Sequence, residues 1–373
     1  MINRVLHILP SLSAGGIESA IISAYQNIDR KTFQFDFAVL NPNNPIHELT
    51  VQKLGGEIFY IAEAGCNSSL LSKALWRVKA IINFTKLLKK NPYDTVHCHD
   101  YSRWFFYVLI SKIFHVKKII VHSHNSNTDN NSIFSLNNYI CNTLSNKMIN
   151  NKVGCSIKAY QWLFGNDKRA CDCIIYNGVD LKKFNNLKFN KLEMEEKYNI
   201  NQDNFNIITI GRFSIQKNQL FLIDIFAKLC KHNIQKTNHL HIVGFGNLEN
   251  EIKEAVKNHN IQDKVIFYPY DTNVPELLSC MNCFVLPSKY EGFPVVLVEA
   301  QAMNLPCIVS DKVTTESNAG LCKYIPIENG VDVWVDTLET IINGKLNMTL
   351  SLEKINAFDI HFIANQFKEL YYE

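Results

Sequence analysis

FVLPSKYEGFPVVLVEAQAMNLPCIVS, residues Phe284–Ser310, decides how the rest of the chain is read. An apolar run from Cys283 to Leu286 breaks into a polar loop holding Glu291 and Gly292. Pro294 then opens an apolar helix that carries Glu299, and a second apolar run follows Pro306. Strand, loop, helix, strand is the repeat of a parallel sheet, where the loop after each strand and the start of the next helix form the crevice for ligands. Seven residues stand between the two carboxylates, too many for partners on one helix surface, yet both can reach one crevice. Taken alone, the pair reads more readily as a helix-dipole partner, Glu291, and a solvated side chain, Glu299, than as a binding site.

Working outward, the same alternation fills both halves of the chain. Downstream of residue 205, strands are expected at Asn206–Ile210, His239–Val243, Val265–Phe267, Cys283–Leu286 and Cys307–Val309, with helices near Leu220–Leu229, Leu248–Lys257, Val274–Leu278 and Val295–Met303. Upstream, strands are expected at Arg4–Leu9, Phe35–Leu40, Ile58–Ile61, Thr95–Cys98, Lys118–His122, Lys152–Cys155 and Cys173–Tyr176, with helices at Gly15–Tyr25 and Leu71–Lys89. A polar stretch, Asn177–Asn204, with a short charged helix at Lys191–Tyr198, separates the two runs. Alternation of this kind predicts doubly wound α/β sheets, and 373 residues exceed what one core usually serves. Two domains, 1–180 and 181–350, follow. Residues 351–373, with Ile355, Phe358, Phe362, Ile363, Phe367 and Leu370 at near-helical spacing, read as one terminal helix returning to the first domain.

Composition excludes several classes. Apolar residues make up 47% and charged ones 20%, ordinary for a globular enzyme, and a net charge of +3 is too small to predict a nucleic-acid partner. The eleven cysteines are odd in number and scattered, in a chain that begins MINRVLHILP without a cleavable apolar segment, so free thiols in a cytoplasmic setting are expected. The Cys280/Cys283 and Cys171/Cys173 pairs lack the spacing of a zinc site. No apolar run is long enough to span a bilayer.

Several residues can carry chemistry. LSAGGIESA places Gly15 and Gly16 where the first helix begins, where the backbone allows close approach and free N–H groups attract an anion; a plain tight turn explains the pair equally well. A dinucleotide fingerprint is absent, since Gly244-Phe245-Gly246 lacks the third glycine, which disfavours a nicotinamide enzyme. His97/His99 and His122/His124 close two strands with a shared face, suited to a metal, a base or a phosphate contact. In GRFSIQKNQ, Arg212 and Lys217 stand on a strand-to-helix loop, where a guanidinium fork and an ammonium suit a diphosphate. Cations for phosphate and carboxylates for hydroxyls are the two chemistries that a sugar nucleotide demands.

The ordered set GGIES, YNGVD (Tyr176–Asp180), GRFSIQKN, IVGFGNLENEI and EGFPVVLVEAQAMNLPCIVSD resembles the retaining GT-B glycosyltransferases of family 4, nearest the bacterial capsular and exopolysaccharide branch, over about residues 3–311. The resemblance implies a GT-B fold, two doubly wound Rossmann-like domains facing an interdomain cleft. It implies hexosyl or N-acetylhexosaminyl transfer from a nucleotide-sugar donor, UDP-linked rather than GDP-linked, with no essential metal. The implied acceptor is a glycan or a polyprenyl-diphosphate-linked glycan, handled in the cytoplasm or at the inner face of the cell membrane. By the same resemblance Arg212 and Lys217 bind the donor diphosphate, with Gly15 and Gly16 supporting it. Glu299 accepts from the ribose hydroxyls, Glu291 meets the transferred sugar beside Gly292, Phe293 and Pro294, and His124 lies near the anomeric centre. Asn304, where a glycine is common, and the segment Asp311–Trp334 depart from the pattern. A sugar-nucleotide epimerase and a non-catalytic sugar-nucleotide-binding scaffold are the competing readings.

Residues Leu70–Lys90 put Leu71, Leu75, Val78, Ile82 and Leu88 near one helical face, with Lys73, Arg77, Lys86, Lys89 and Lys90 mostly off it. This suits either a helix packed on the first sheet with a solvated basic face or a helix lying on an anionic membrane.

Overall fold

The computed structural model describes residues 2–13, 15–43, 45–62, 70–99, 104–126, 140–201, 203–232 and 237–372. The chain forms two compact units, Met1–Val179 with Phe358–Glu373, and Asp180–Ala357.

The first unit is built on seven parallel strands, β1 (Asn3–Ser11), β2 (Phe33–Asn41), β3 (Ile58–Tyr60), β4 (Thr95–Cys98), β5 (Lys118–Ser123), β6 (Asn151–Gly154) and β7 (Cys173–Ile174), in the order β3-β2-β1-β4-β5-β6-β7. The order reverses between β1 and β4, which makes that pair the topological switch point. The inner strands are buried on both faces, as their near-continuous apolar sequences require. One face packs Phe84, Tyr107 and Val121, and the other packs Tyr25, Phe35, Ile363 and Phe367.

The second unit repeats the plan with β8 (Phe205–Ile210), β9 (Asn238–Val243), β10 (Val265–Tyr268), β11 (Cys283–Leu286), β12 (Cys307–Ser310) and β13 (Cys322–Ile325), ordered β10-β9-β8-β11-β12-β13. Its switch point lies between β8 and β11. Strand β13 falls in the segment that departs from the family pattern, and the helix Gly330–Ile342 begins there. The helix nonetheless packs Trp334, Val335 and Leu338 into the core of this unit.

The terminal stretch is not one helix. It breaks into Leu352–Asn356 and Ile360–Tyr372, and only the second piece belongs with the first unit, so the crossing back lies near residue 358 rather than 351. Backbone pairing causes the break: Phe358 accepts from the Val179 N–H at 2.8 Å, and Ile360 donates to the Val179 carbonyl at 2.9 Å. Gly178 makes this approach feasible, because a Cβ there would meet Ile360 Cδ1 at 2.7 Å.

The helix Leu70–Lys90 also differs from expectation. Its buried face is Ala80, Phe84, Leu87 and Leu88, whereas Leu75, Val78 and Ile82 are exposed, by 62%, 53% and 47%. Leu88 therefore parts from the face assigned to it. The side chains of Leu71 and Lys73 lie outside the described residues.

Candidate active site

In the second unit the switch-point strands deliver two loops to the same end of the sheet. Residues 211–218 follow β8 and residues 287–294 follow β11. Three bonds stitch the loops together: Gln216 Nε2 donates to the Tyr290 carbonyl at 3.0 Å, Asn218 Nδ2 to the Pro287 carbonyl at 3.2 Å, and the Lys289 N–H to the Gln216 carbonyl at 2.8 Å. Gln216 and Asn218, which sequence reasoning passed over, thus set the register of the loops. Gly244 is needed for a different reason: its φ is +150°, and a Cβ there would collide with the Gly211 carbonyl oxygen.

Across this seam Lys217 Nζ binds Glu291 Oε1 at 2.6 Å, with Glu291 only 6% exposed. The pair joins the cationic motif to the acidic loop, residues far apart in sequence. An ammonium has three donors, so Lys217 can keep Glu291 and still receive an anionic oxygen. Arg212 is exposed at the start of its loop. Among the described residues its guanidinium has no hydrogen-bond or ion-pair partner, which leaves the whole fork available.

Gly292, Phe293 and Pro294 are buried and lead into the helix Val295–Ala302. Pro294 holds the entry and its carbonyl accepts from the Leu297 N–H at 3.0 Å, while the N–H groups of Val295 and Val296 have no acceptor within the helix and present positive potential at the loop. Glu299 is half-buried in that helix with no partner among the described residues, and burial pushes its carboxyl up to about 7. Asn304 takes a left-handed conformation, φ +61°, just after the helix. That accounts for the departure from glycine, since asparagine is the side chain that best tolerates this geometry.

The first unit holds the other predicted residues. Gly15 caps the helix Gly16–Asn27, but its N-terminus is occupied. The Glu18 carboxylate lies where a Cβ on Gly15 would stand, and its Oε1 accepts from Ser11 Oγ at 2.5 Å. A phosphate at Gly15 and Gly16 therefore requires Glu18 to move aside.

The paired histidines are fully interior rather than open to solvent, and a fifth joins them. His7, His97, His99, His122 and His124 are each at most 7% exposed. Burial lowers all five, His7 and His124 to about 3, so they are neutral at physiological pH. His7 on β1 carried no signal in sequence because it has no HxH partner; only its register beside His97 on β4 places it. Two triads, His7/His97/His99 and His99/His122/His124, bring ring nitrogens within 4.8 Å of one another. Within them, however, His7 Nδ1 to His99 Nε2 is 3.0 Å and His99 Nδ1 to His124 Nε2 is 2.8 Å. Those are hydrogen-bond separations, shorter than the roughly 3.3 Å between tetrahedral zinc ligands at ordinary Zn–N distances.

Residues 190–323 match the family of glycosyl transferases group 1. EpsF of Bacillus subtilis (strain 168), assigned as a glycosyltransferase, is 31% identical over 342 residues, which span 90% of this chain and 86% of that protein. The chain belongs to this glycosyltransferase family. A second relative of the transferase, the UDP-Gal:alpha-D-GlcNAc-diphosphoundecaprenol alpha-1,3-galactosyltransferase of Escherichia coli, is 24% identical over 394 residues, 99% of this chain and 96% of that one. The solved structure of Anabaena Alr3699/HepE in complex with UDP and glucose superposes with a TM-score of 0.74 at 16% identity, over 98% of both chains. That likeness establishes a GT-B fold for the transferase, with Rossmann-like parallel sheets.

Proposed function

We propose that this glycosyltransferase moves a hexosyl or N-acetylhexosaminyl group from a UDP-sugar to a polyprenyl-diphosphate-linked glycan during cell-surface polysaccharide synthesis, with retention of anomeric configuration. The observation that carries the reading is the Lys217–Glu291 pair at the switch point, with Arg212, unpartnered among the described residues, on the same loop. Arg212 and Lys217 take the donor diphosphate and offset the charge that develops on it as the anomeric C–O bond breaks. The acceptor oxygen forms the new bond on the face the diphosphate leaves, and its proton passes to the departing phosphate oxygen. Glu291 positions the transferred sugar. Glu299, ionised above about 7, accepts from the ribose hydroxyls, and the N–H groups at residues 292–295 assist at the diphosphate. Two cations supply the charge, so no essential metal enters the scheme. By the same reading His124 acts near the anomeric centre, and Gly15 and Gly16 receive phosphate once Glu18 has shifted.

The E. coli relative supports the donor base and the acceptor class, since its name specifies UDP-galactose and a diphosphoundecaprenol-linked sugar. Incubation with a panel of UDP- and GDP-sugars, with and without a polyprenyl-diphosphate-linked glycan, tests the reading. It requires product only when acceptor is present; a new sugar nucleotide formed without acceptor would instead make the protein an epimerase.

A lipid-linked acceptor brings the membrane with it. No helix among the described residues is long and apolar enough to cross one. The outward arc of Leu70–Lys90 instead presents Leu75, Val78 and Ile82 among Lys79, Lys86 and Lys89, and the helix has six basic residues and no acidic one. That face is proposed to rest on anionic lipid at the inner side of the cell membrane.

A further inference from the structure

The buried histidines form a connected line that ends on the C-terminal helix. Tyr371 Oη lies 2.8 Å from His97 Nδ1 and 3.4 Å from His7 Nε2. From His7 the line continues through Nδ1 to His99 Nε2 at 3.0 Å, and through His99 Nδ1 to His124 Nε2 at 2.8 Å. Of the two remaining nitrogens, His97 Nε2 is buried without a partner among the described residues, and His124 Nδ1 makes no hydrogen bond of good geometry, although the Asn177 side chain lies within reach of that ring. His122 stacks beside the line, against His97 and His124, without joining it.

A neutral imidazole has one N–H and one lone pair, so each ring in such a line accepts on one side and donates on the other. If Tyr371 donates to His97, its oxygen accepts from His7 Nε2–H. His7 must then accept from His99 Nε2–H, and His99 from His124 Nε2–H, which leaves a bare lone pair on His124 Nδ1. If Tyr371 donates to His7, every bond reverses and His124 Nδ1 carries a proton. These patterns have an unpaired proton of their own, since Tyr371 donation to His97 leaves the His97 Nε2–H without an acceptor. A third pattern, with the hydroxyl accepting from both rings, instead orphans the phenolic O–H, a stronger donor than an imidazole N–H, and is disfavoured. In either allowed state His7, His97, His99 and His124 hold their protons on the same-named nitrogen.

We propose that Tyr371, His7 and His99 are positioning residues that fix which nitrogen of His124 carries the proton. A helix at the end of the chain thereby sets whether His124 offers a donor or an acceptor to a sugar hydroxyl. The use of His124 on a sugar rests on the function proposed above; the coupling along the line does not.

The test is long-range proton–nitrogen correlation on full-length protein labelled with 15N-histidine, in which each neutral tautomer has its own pattern. The expected result is one shared tautomer for His7, His97, His99 and His124, and in Tyr371→Phe at least a twofold change in the tautomer ratio of His124. His7→Phe, which cuts the line without touching the C-terminal helix sequence, provides the second variant should Tyr371→Phe fail to fold. Mixed tautomers in the wild-type protein, or a His124 ratio unchanged in the folded variant, would overturn the coupling. So would one equivalent of zinc or nickel held by these nitrogens in purified protein. Turnover separates the two claims: a changed His124 tautomer with unchanged transfer removes His124 from the chemistry and leaves the coupling standing.

Discussion

Lys217 and Glu291 form the contact on which the site depends. Lys217→Ala removes a diphosphate donor and strips a 6%-exposed carboxylate of its ammonium, so transfer should fall by roughly a hundredfold or more in kcat/KM. Arg212→Ala should cost a similar factor with little change in thermal stability, since its guanidinium holds nothing else among the described residues. Glu299 gives the pH dependence. Its carboxyl sits at about 7 in the folded protein, above the unfolded value, so this group costs stability as pH rises from the usual carboxylate range through 7. Nucleotide binding follows the opposite sign, because ribose hydroxyls bond best to the ionised form. UDP affinity measured by calorimetry should weaken as pH drops from 8 to 6, and Glu299→Gln should flatten that slope; an unchanged slope would remove Glu299 from the ribose site. At this scale the motif residues were legible because Arg, Lys and Glu stand beside strand ends. The Glu18 carboxylate over Gly15 was not, since no spacing rule shows which way a side chain folds back.

The elements were legible wherever a parallel strand announced itself as an apolar run, and less so where two faces competed. Leu70–Lys90 has apolar residues on more than one arc, and its sequence alone left Leu75, Val78 and Ile82 facing either the sheet or a membrane. The structure buries the opposite arc through Phe84 and Leu87. Exchanging Leu75 and Ile82 for Ser should change stability by less than about 0.5 kcal/mol, as for other exposed sites, while binding to vesicles rich in anionic lipid drops several-fold in a sedimentation assay. Phe84→Ala should instead cost about 3–5 kcal/mol in denaturant unfolding, because it empties a fully buried ring site. Full vesicle binding by the double Ser variant would end the membrane proposal. The terminal break near residue 358 was hidden for a related reason: periodicity records which side chains face inward, not that Val179 takes the backbone groups of its neighbours.

For the whole molecule, two parallel sheets with a switch point in each were readable from the alternation of runs, since strand order follows from the handedness and economy of such connections. The division after residue 179 lies one residue from the boundary expected in the polar stretch, whereas the return at residue 358 depended on long-range pairing that no local pattern records. The central claim is that this transferase hands a sugar from UDP to a lipid-linked glycan through the charge of Arg212 and Lys217, without a metal. Chelator should therefore leave the rate within about twofold. The most direct measurement is proton NMR of the product made from a UDP-sugar and a polyprenyl-diphosphate-linked glycan, with wild type, Arg212→Ala and Lys217→Ala run side by side. The account predicts acceptor-dependent product with the donor's anomeric configuration kept, and almost none from either variant. An inverted linkage, or near-normal product from both variants, would contradict it.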